Sequence, residues 1–82
     1  MNIFPILIPV TRRKSNKCKD KKLIINANMI SMLRPLQEQY DNPDLKGCFI
    51  RIANAYEIEV EEEMSDICRM IIHEIHNMNT TY

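Results

Sequence analysis

The sequence predicts an α+β fold, in which a small antiparallel β-sheet of about five short strands packs on one C-terminal amphipathic helix. Apolar and acidic residues alternate from Tyr56 to Val60, which is the period of a half-buried strand. After Glu62 the apolar residues recur at steps of four and three, which is the period of a helix. With 82 residues, the chain is expected to form a single domain. We expect strands and loops over 1–60, a helix over 61–77 and a frayed tail over 78–82.

The first half of the chain predicts a hairpin with a long basic tip. Pro5 and Pro9 are four residues apart, so both remove backbone donors from the same side of a strand over 3–11. This spacing predicts an edge strand. A second, buried strand is expected over 22–27, followed by a bend at Asn26 and Asn28, which favour turns. Residues 29–33 fit either a short strand or a helical turn.

The second half predicts a loop, a tight hairpin and the helix. Residues 37–47 contain Pro43 and the single glycine and are expected to form the loop. Strands over 48–53 and 56–60 flank a two-residue turn at Asn54 and Ala55, and Tyr56, Ile58 and Val60 are expected to share one face. The helix is expected to pack on the sheet through one apolar stripe, formed by Met64, Cys68, Ile71, Ile75 and Met78, with Ile67 and Ile72 beside it.

Charge is strongly separated along a chain whose net charge is zero. Residues 1–35 hold eight basic residues and one acidic residue, whereas residues 36–82 hold three basic and ten acidic residues, so the halves carry +7 and −7. Seven of the basic residues lie between Arg12 and Lys22. Such separation predicts a two-ended molecule, with one end suited to phosphates and the other to cations or a basic partner.

Several classes of protein are disfavoured by what the sequence lacks. A single glycine excludes a P-loop or a dinucleotide-binding loop, and no nucleophile motif is present, so we expect a protein that is not an enzyme and needs no cofactor. His73 and His76 are three residues apart without an evident third ligand, so no metal site is expected. Three cysteines without paired spacing indicate reduced thiols in the cytoplasm. No apolar run approaches about 18 residues, so no membrane association is expected.

The order of strands, bend and helix resembles the FlbD-like small flagellar proteins. The matching segments are LIINANMISML (23–33) and FIRIANAYEIEVEEEMSDI (49–67). Ala55 and Glu63 stand where that family has a turn glycine and a helix-start serine, and the loop over 12–22 is an addition. The resemblance implies a compact sheet packed on one helix, and it implies no catalytic residues and no flagellar role.

Function is expected to lie in the basic loop. The candidate ligand-binding residues are Arg12, Arg13, Lys14, Lys17, Lys19 and Arg51. We expect a homo-oligomer that binds or sequesters a small phosphate-bearing, nucleotide-like ligand. A protein-interaction module, such as an adaptor or an inhibitor of a host protein, and a nucleic-acid backbone binder remain open alternatives. The abundance of isoleucine, asparagine and lysine indicates an AT-rich coding source, which suggests a phage or mobile-element protein with an anti-defence role.

Overall fold

The computed structural model describes residues 4–13 and 21–79 and contains five strands and two helices within them. The strands are β1 (Leu7–Arg12), β2 (Lys21–Asn26), β3 (Ile30–Pro35), β4 (Cys48–Ile52) and β5 (Tyr56–Val60). A one-turn helix α1 (Leu36–Gln39) follows β3, and the long helix α2 (Met64–Asn79) follows β5. The strands form one antiparallel sheet in the order β2-β1-β5-β4-β3. The predicted fold class is therefore confirmed.

The prediction that the first strand lies at an edge is wrong. β1 lies second in the sheet, between β2 and β5, and the edges are β2 and β3. The pairing of β1 with β5 is short, however, because Arg12 opposite Val60 is the single residue pair. One main-chain hydrogen bond flanks this pair on each side. Thr11 and Arg13 make those bonds, so the odd-numbered residues of β1 face β5. Pro9 also points towards the β5 side of β1, but β5 does not extend as far as Pro9. No neighbouring strand needs a hydrogen bond from residue 9, so a proline, which has no N–H, is tolerated there.

The bend between β2 and β3 forms as predicted. Asn26 caps a single 3-10 turn over Ala27–Met29, and its side-chain oxygen accepts a hydrogen bond from the Asn28 N–H at 3.0 Å. The ambiguous residues that follow belong to β3, which has a bulge between Ile30 and Met32. β3 ends at Pro35, and this proline disfavours helical backbone angles at Arg34, which is consistent with the extended conformation of Arg34 in the strand.

The segment over 37–47 is more ordered than the predicted loop. It begins with α1, whose Leu36 is fully buried, and it ends at Gly47, which has a φ of 114°. The Tyr40 hydroxyl of this segment donates to Glu59 on β5. Because β4 lies between β3 and β5, the Tyr40 side chain reaches across β4 to make this bond, and Phe49 of β4, which is opposite Glu59, is only 8% exposed.

The β4–β5 turn contains three residues instead of two. Ile52 pairs with Tyr56, so Ala53, Asn54 and Ala55 form the loop, and Ala53 has a φ of 51°. Ile58 and Val60 are buried as the alternation predicts, whereas Tyr56 at the start of the strand is exposed.

Helix α2 starts later than predicted and presents a different face to the sheet. It begins at Met64, because the Glu63 N–H bonds the Asp66 carboxylate and makes residue 63 the cap. Ile67 is 0% exposed and joins the main core, with Met70 and Ile71 packed against it. Cys68 is exposed and Ile72 is 67% exposed. The predicted stripe is therefore rotated, and the prediction that Cys68 lies in the core is wrong. Within the described residues, 4–13 and 21–79, no helix is long and apolar enough to cross a membrane.

The main core lies between α2 and one face of the sheet. Its buried members are Ile8, Val10, Ile25, Cys48, Ile50, Ile52, Ile58, Val60 and Ile67. We call this side of the sheet the helix face. The opposite side, which carries Thr11, Phe49, Arg51, Glu57 and Glu59, is called the outer face.

Candidate functional site: the basic end of the β1–β2 hairpin

The register of the first hairpin brings basic side chains together at the end of the sheet. Arg12 lies directly opposite Lys21, and Thr11 lies opposite Lys22. Directly opposed residues of an antiparallel pair have Cβ atoms about 5 Å apart, so like charges there repel each other. In residues 4–13 and 21–79, no carboxylate forms an ion pair with Arg12, Lys21 or Lys22. We call these three cations the basic end of the hairpin. Arg12 and Lys21 share one face of the sheet and Lys22 lies on the other, and none of them has a described carboxylate that an external anion would have to displace.

Arg12 and Lys21 belong to the helix face, because they continue the alternation of Val10 and Leu23. Lys21 and Lys22 are exposed, and Arg12 is half-buried. The loop that joins β1 to β2 includes three more predicted site residues, Lys14, Lys17 and Lys19, which lie outside the described residues.

Arg13 is not free to bind a ligand in this structure. Its guanidinium lies 3.0 Å from a carboxylate oxygen of Glu59, and both side chains are about one-third exposed. The other oxygen of Glu59 accepts the hydrogen bond from Tyr40, which raises the pKa of the tyrosine above its usual range. An incoming anion would have to compete with this carboxylate for Arg13.

Arg51 lies away from the hairpin end and has its own acidic partner. Two of its nitrogens donate to one oxygen of Glu57, at 2.7 and 3.0 Å. The pair borders an open depression of about 390 Å³ beside the β4–β5 turn. Arg51 is on the outer face, whereas Arg12 belongs to the helix face, and their β5 partners are three positions apart. The structure therefore does not bring Arg51 together with Arg12 in one site.

The acidic run lies next to the basic hairpin and not at the far end of the molecule. Glu62 accepts hydrogen bonds from the backbone and the hydroxyl of Thr11, at 2.7 and 2.9 Å. Together with the ion pair between Arg13 and Glu59, this contact places acids beside the last residues of β1. The two-ended distribution of charge predicted from the sequence is therefore wrong for these residues.

A groove beside β1 was not predicted. It encloses about 390 Å³ where β5 has ended, between Ile8 and Pro9 on one side and α2 on the other. Arg69, Met70, His73 and Glu74 line the helix side. The sequence signal was the proline at position 9, which marks the unpaired side of the strand.

Side chains that could hold a metal ion do not converge in the described residues. Within residues 4–13 and 21–79, no group of three or more His, Cys, Asp or Glu side chains is placed so that it could hold a metal ion. Cys48 is buried, and burial raises its thiol pKa, which disfavours the reactive thiolate. The arrangement is suited to binding an anion through charge and hydrogen bonds.

No family model matches the chain, and the searches of curated proteins and of solved structures also found no match. The resemblance to the FlbD-like proteins therefore remains a prediction from the residues alone.

Proposed function

We propose that this protein is a small, non-enzymatic, homo-oligomeric binding protein that acts in the cytoplasm on a phosphate-bearing, nucleotide-like ligand. The observation that carries the proposal is the register of the first hairpin. It sets Arg12 opposite Lys21, and no described carboxylate pairs with either residue.

Binding a phosphate at this place would turn an unfavourable arrangement into a favourable one. The two opposed cations repel each other in the free protein, and one phosphate between them can accept hydrogen bonds from both. Arginine can bind the phosphate with two parallel hydrogen bonds, and lysine adds a mobile positive charge. Lys22, on the other face of β2, would add positive charge at longer range.

The acidic neighbours favour a small ligand over a long polyanion. Glu59 and Glu62 lie beside the last residues of β1, so a nucleic-acid backbone passing there would meet carboxylates. Aromatic side chains for base stacking are absent from the basic segment over 12–22, which further disfavours single-stranded nucleic acid. Duplex backbone binding remains as an alternative that salt dependence can separate.

The proposal is tested by calorimetry with ADP-ribose, a cyclic dinucleotide and a short DNA duplex as probes. The double variant Arg12→Gln/Lys21→Gln should weaken nucleotide binding by about 100-fold or more, since each charged hydrogen bond that is lost costs roughly 1.5–3 kcal/mol. The control Arg34→Gln/Lys46→Gln makes the same change in charge at exposed residues elsewhere. Equal affinity in the two variants would contradict the proposal.

Salt dependence separates the two kinds of ligand. A nucleotide that meets two or three charges should bind with weak dependence on salt. A duplex backbone with about six phosphate contacts should lose about 10³-fold in affinity between roughly 50 and 200 mM salt. If the duplex binds with steep salt dependence and the nucleotides do not bind, the ligand is a nucleic acid and the proposal of a small ligand is contradicted.

A protein-interaction module is the second candidate, and the exposed face of α2 favours it. Ile72 is 67% exposed and Ile75 is 42% exposed, so α2 leaves two large apolar side chains in solvent. Such a surface suits contact with a host protein, as an anti-defence inhibitor encoded by a phage would need. This candidate predicts that none of the three probes binds and that Ile72→Ser removes activity without unfolding the protein.

A further inference from the structure

The two edges of the sheet differ in how they are protected against further pairing. On β3, a bulge follows Ile30, the Ser31 hydroxyl bonds back to β4 and the connecting turn, and Pro35 ends the strand. Bulges and prolines are features that stop an edge from adding another strand. β2 has neither, and no strand of the described chain pairs with its outer side. Its Ile24 is 73% exposed, more than any other large apolar side chain described.

The hydrogen-bonding pattern shows which groups of β2 point outward. The Ala27 N–H donates to the Ile6 carbonyl, which makes this a hydrogen-bonded pair of the antiparallel ladder. Such pairs recur every second residue, so Leu23 and Ile25 bond β1. The backbone groups of Lys22 and Ile24 and the N–H of Asn26 therefore point away from the sheet and form its free edge. The Asn26 carbonyl does not belong to this edge, because Asn26 caps the 3-10 turn and its carbonyl accepts the first hydrogen bond of that turn.

We propose that β2 pairs with β2 of a second copy of this chain, antiparallel and centred on Ile24. This inference rests on the homo-oligomer part of the proposed function and names its interface. In this register Ile24 faces Ile24 of the second copy, and Lys22 faces Asn26 of the second copy. The three pairs supply about four main-chain hydrogen bonds, two between the Ile24 residues and one from each Asn26 N–H to the facing Lys22 carbonyl, and the two five-stranded sheets become one continuous sheet.

Charge and apolar surface both favour this register. Lysine on an edge strand usually blocks pairing, but here each lysine faces an uncharged residue and no lysine faces another lysine. On the outer face, Ile24 lies beside Pro9, and exposed Leu7 lies further along β1. The two-fold axis joins these residues of both copies into one apolar strip. On the helix face, Leu23 would pack beside Ile25 of the second copy and extend both cores.

The shape of a single chain also favours assembly. Its Cα radius of gyration is 13.7 Å, and its extents are 45 × 23 × 22 Å. A compact chain of this length has a radius of about 12 Å, so the single chain is elongated and its core is thin. Pairing through β2 adds core without requiring any rearrangement of β1.

Light scattering of the purified protein tests the interface. The wild type should have twice the chain mass of 9.7 kDa. Ile24→Pro should be monomeric, because proline deletes an outward N–H and leaves the bonds between β1 and β2 intact. The control Ile72→Lys places a charge on the exposed helix face and should remain dimeric. A monomeric wild type at about 100 μM, a dimeric Ile24→Pro variant or a monomeric Ile72→Lys variant would overturn the proposal.

Hydrogen exchange of the wild type keeps the test decisive if the proline variant fails to fold. The amides of Ile24 and Asn26 have no partner strand within the described part of one chain but would be bonded in the dimer. They should exchange at least 100-fold more slowly at high protein concentration than at low concentration. Rapid, concentration-independent exchange would overturn the interface. If the monomeric Ile24→Pro variant still binds pyrophosphate, the anion site does not depend on the dimer interface.

Discussion

The Glu62 carboxylate holds Thr11 by two hydrogen bonds, 2.7 Å from its backbone nitrogen and 2.9 Å from its hydroxyl. The Thr11 N–H points towards β5, but at that level the chain has already left the strand to enter α2. A side chain 51 positions away therefore supplies the acceptor that a longer β5 would have supplied. This contact fixes the point where β1 and β5 separate, and with it the groove beside Pro9.

Glu62→Ala should lower the free energy of unfolding by about 1–3 kcal/mol, because it leaves the Thr11 donors without their charged acceptor. Glu61→Ala is the matched control, since Glu61 is exposed and its side chain has no hydrogen bond among the described residues. Urea denaturation measures both variants, and the control should change by less than about 0.5 kcal/mol. Equal effects would show that the contact with Thr11 does not stabilise the fold.

Gly47→Ala should destabilise the protein by about 2 kcal/mol or more. A Cβ at this position would collide with the Val60 carbonyl oxygen and would lie 2.9 Å from Leu36, and its φ of 114° strains any L-residue. Ala53→Gly provides the opposite control, because Ala53 already has a φ of 51°. Glycine there should be neutral or stabilising by up to about 1 kcal/mol. Thermal melting that ranks the two variants the other way would contradict the backbone geometry.

The orientation of α2 is tested by two isoleucines on different sides of the helix. Ile67→Ala should cost about 2–5 kcal/mol, because Ile67 is 0% exposed within the core. Ile72→Ala removes a similar side chain from the exposed side and should cost less than about 1 kcal/mol. Chemical denaturation of both variants gives the comparison. Similar losses would mean that the stripe predicted from the sequence, and not the observed face, packs on the sheet.

Tyr40 should ionise at a higher pH than an ordinary tyrosine, because its hydroxyl donates to the Glu59 carboxylate and the phenolate would meet that negative charge. The raised pKa means that this contact stabilises the fold below about pH 10, and that the stabilisation is lost as the pH rises through the raised pKa. Tyrosinate absorbance, measured against Tyr40→Phe, follows the ionisation. Glu59→Gln should bring the pKa of Tyr40 back towards 10, and an unchanged titration would exclude Glu59 as the cause.

The elements whose signals are local could be predicted from the sequence. The alternation of Ile58 and Val60 with glutamates predicted β5 with its observed bounds, and Asn26 predicted the bend because its side chain makes a local hydrogen bond. The order of the sheet could not be predicted, because Pro9 shows only that one side of β1 is unpaired at that residue. The same proline is compatible with an edge strand and with a strand whose neighbour ends early.

The face of α2 and the partners of the arginines depend on contacts distant in sequence. The apolar residues of α2 cover more than one face, so periodicity could not tell whether Ile67 or Cys68 meets the core. Arg13 and Arg51 looked available in the sequence, but the sheet places glutamates of β5 next to both. The opposition of Arg12 and Lys21 required the register of the hairpin, which the sequence of the connecting loop does not determine.

An amide NMR titration with inorganic pyrophosphate tests the central claim most directly, because it maps the binding site without assuming the natural ligand. The account predicts saturable shifts concentrated at Thr11–Arg13 and Lys21–Leu23, with the amides of Arg51 and Glu57 unmoved. It also predicts that Arg12→Gln/Lys21→Gln removes these shifts while Arg34→Gln/Lys46→Gln keeps them. Shifts centred on Arg51, or no saturable shifts, would contradict binding at the basic end of the hairpin.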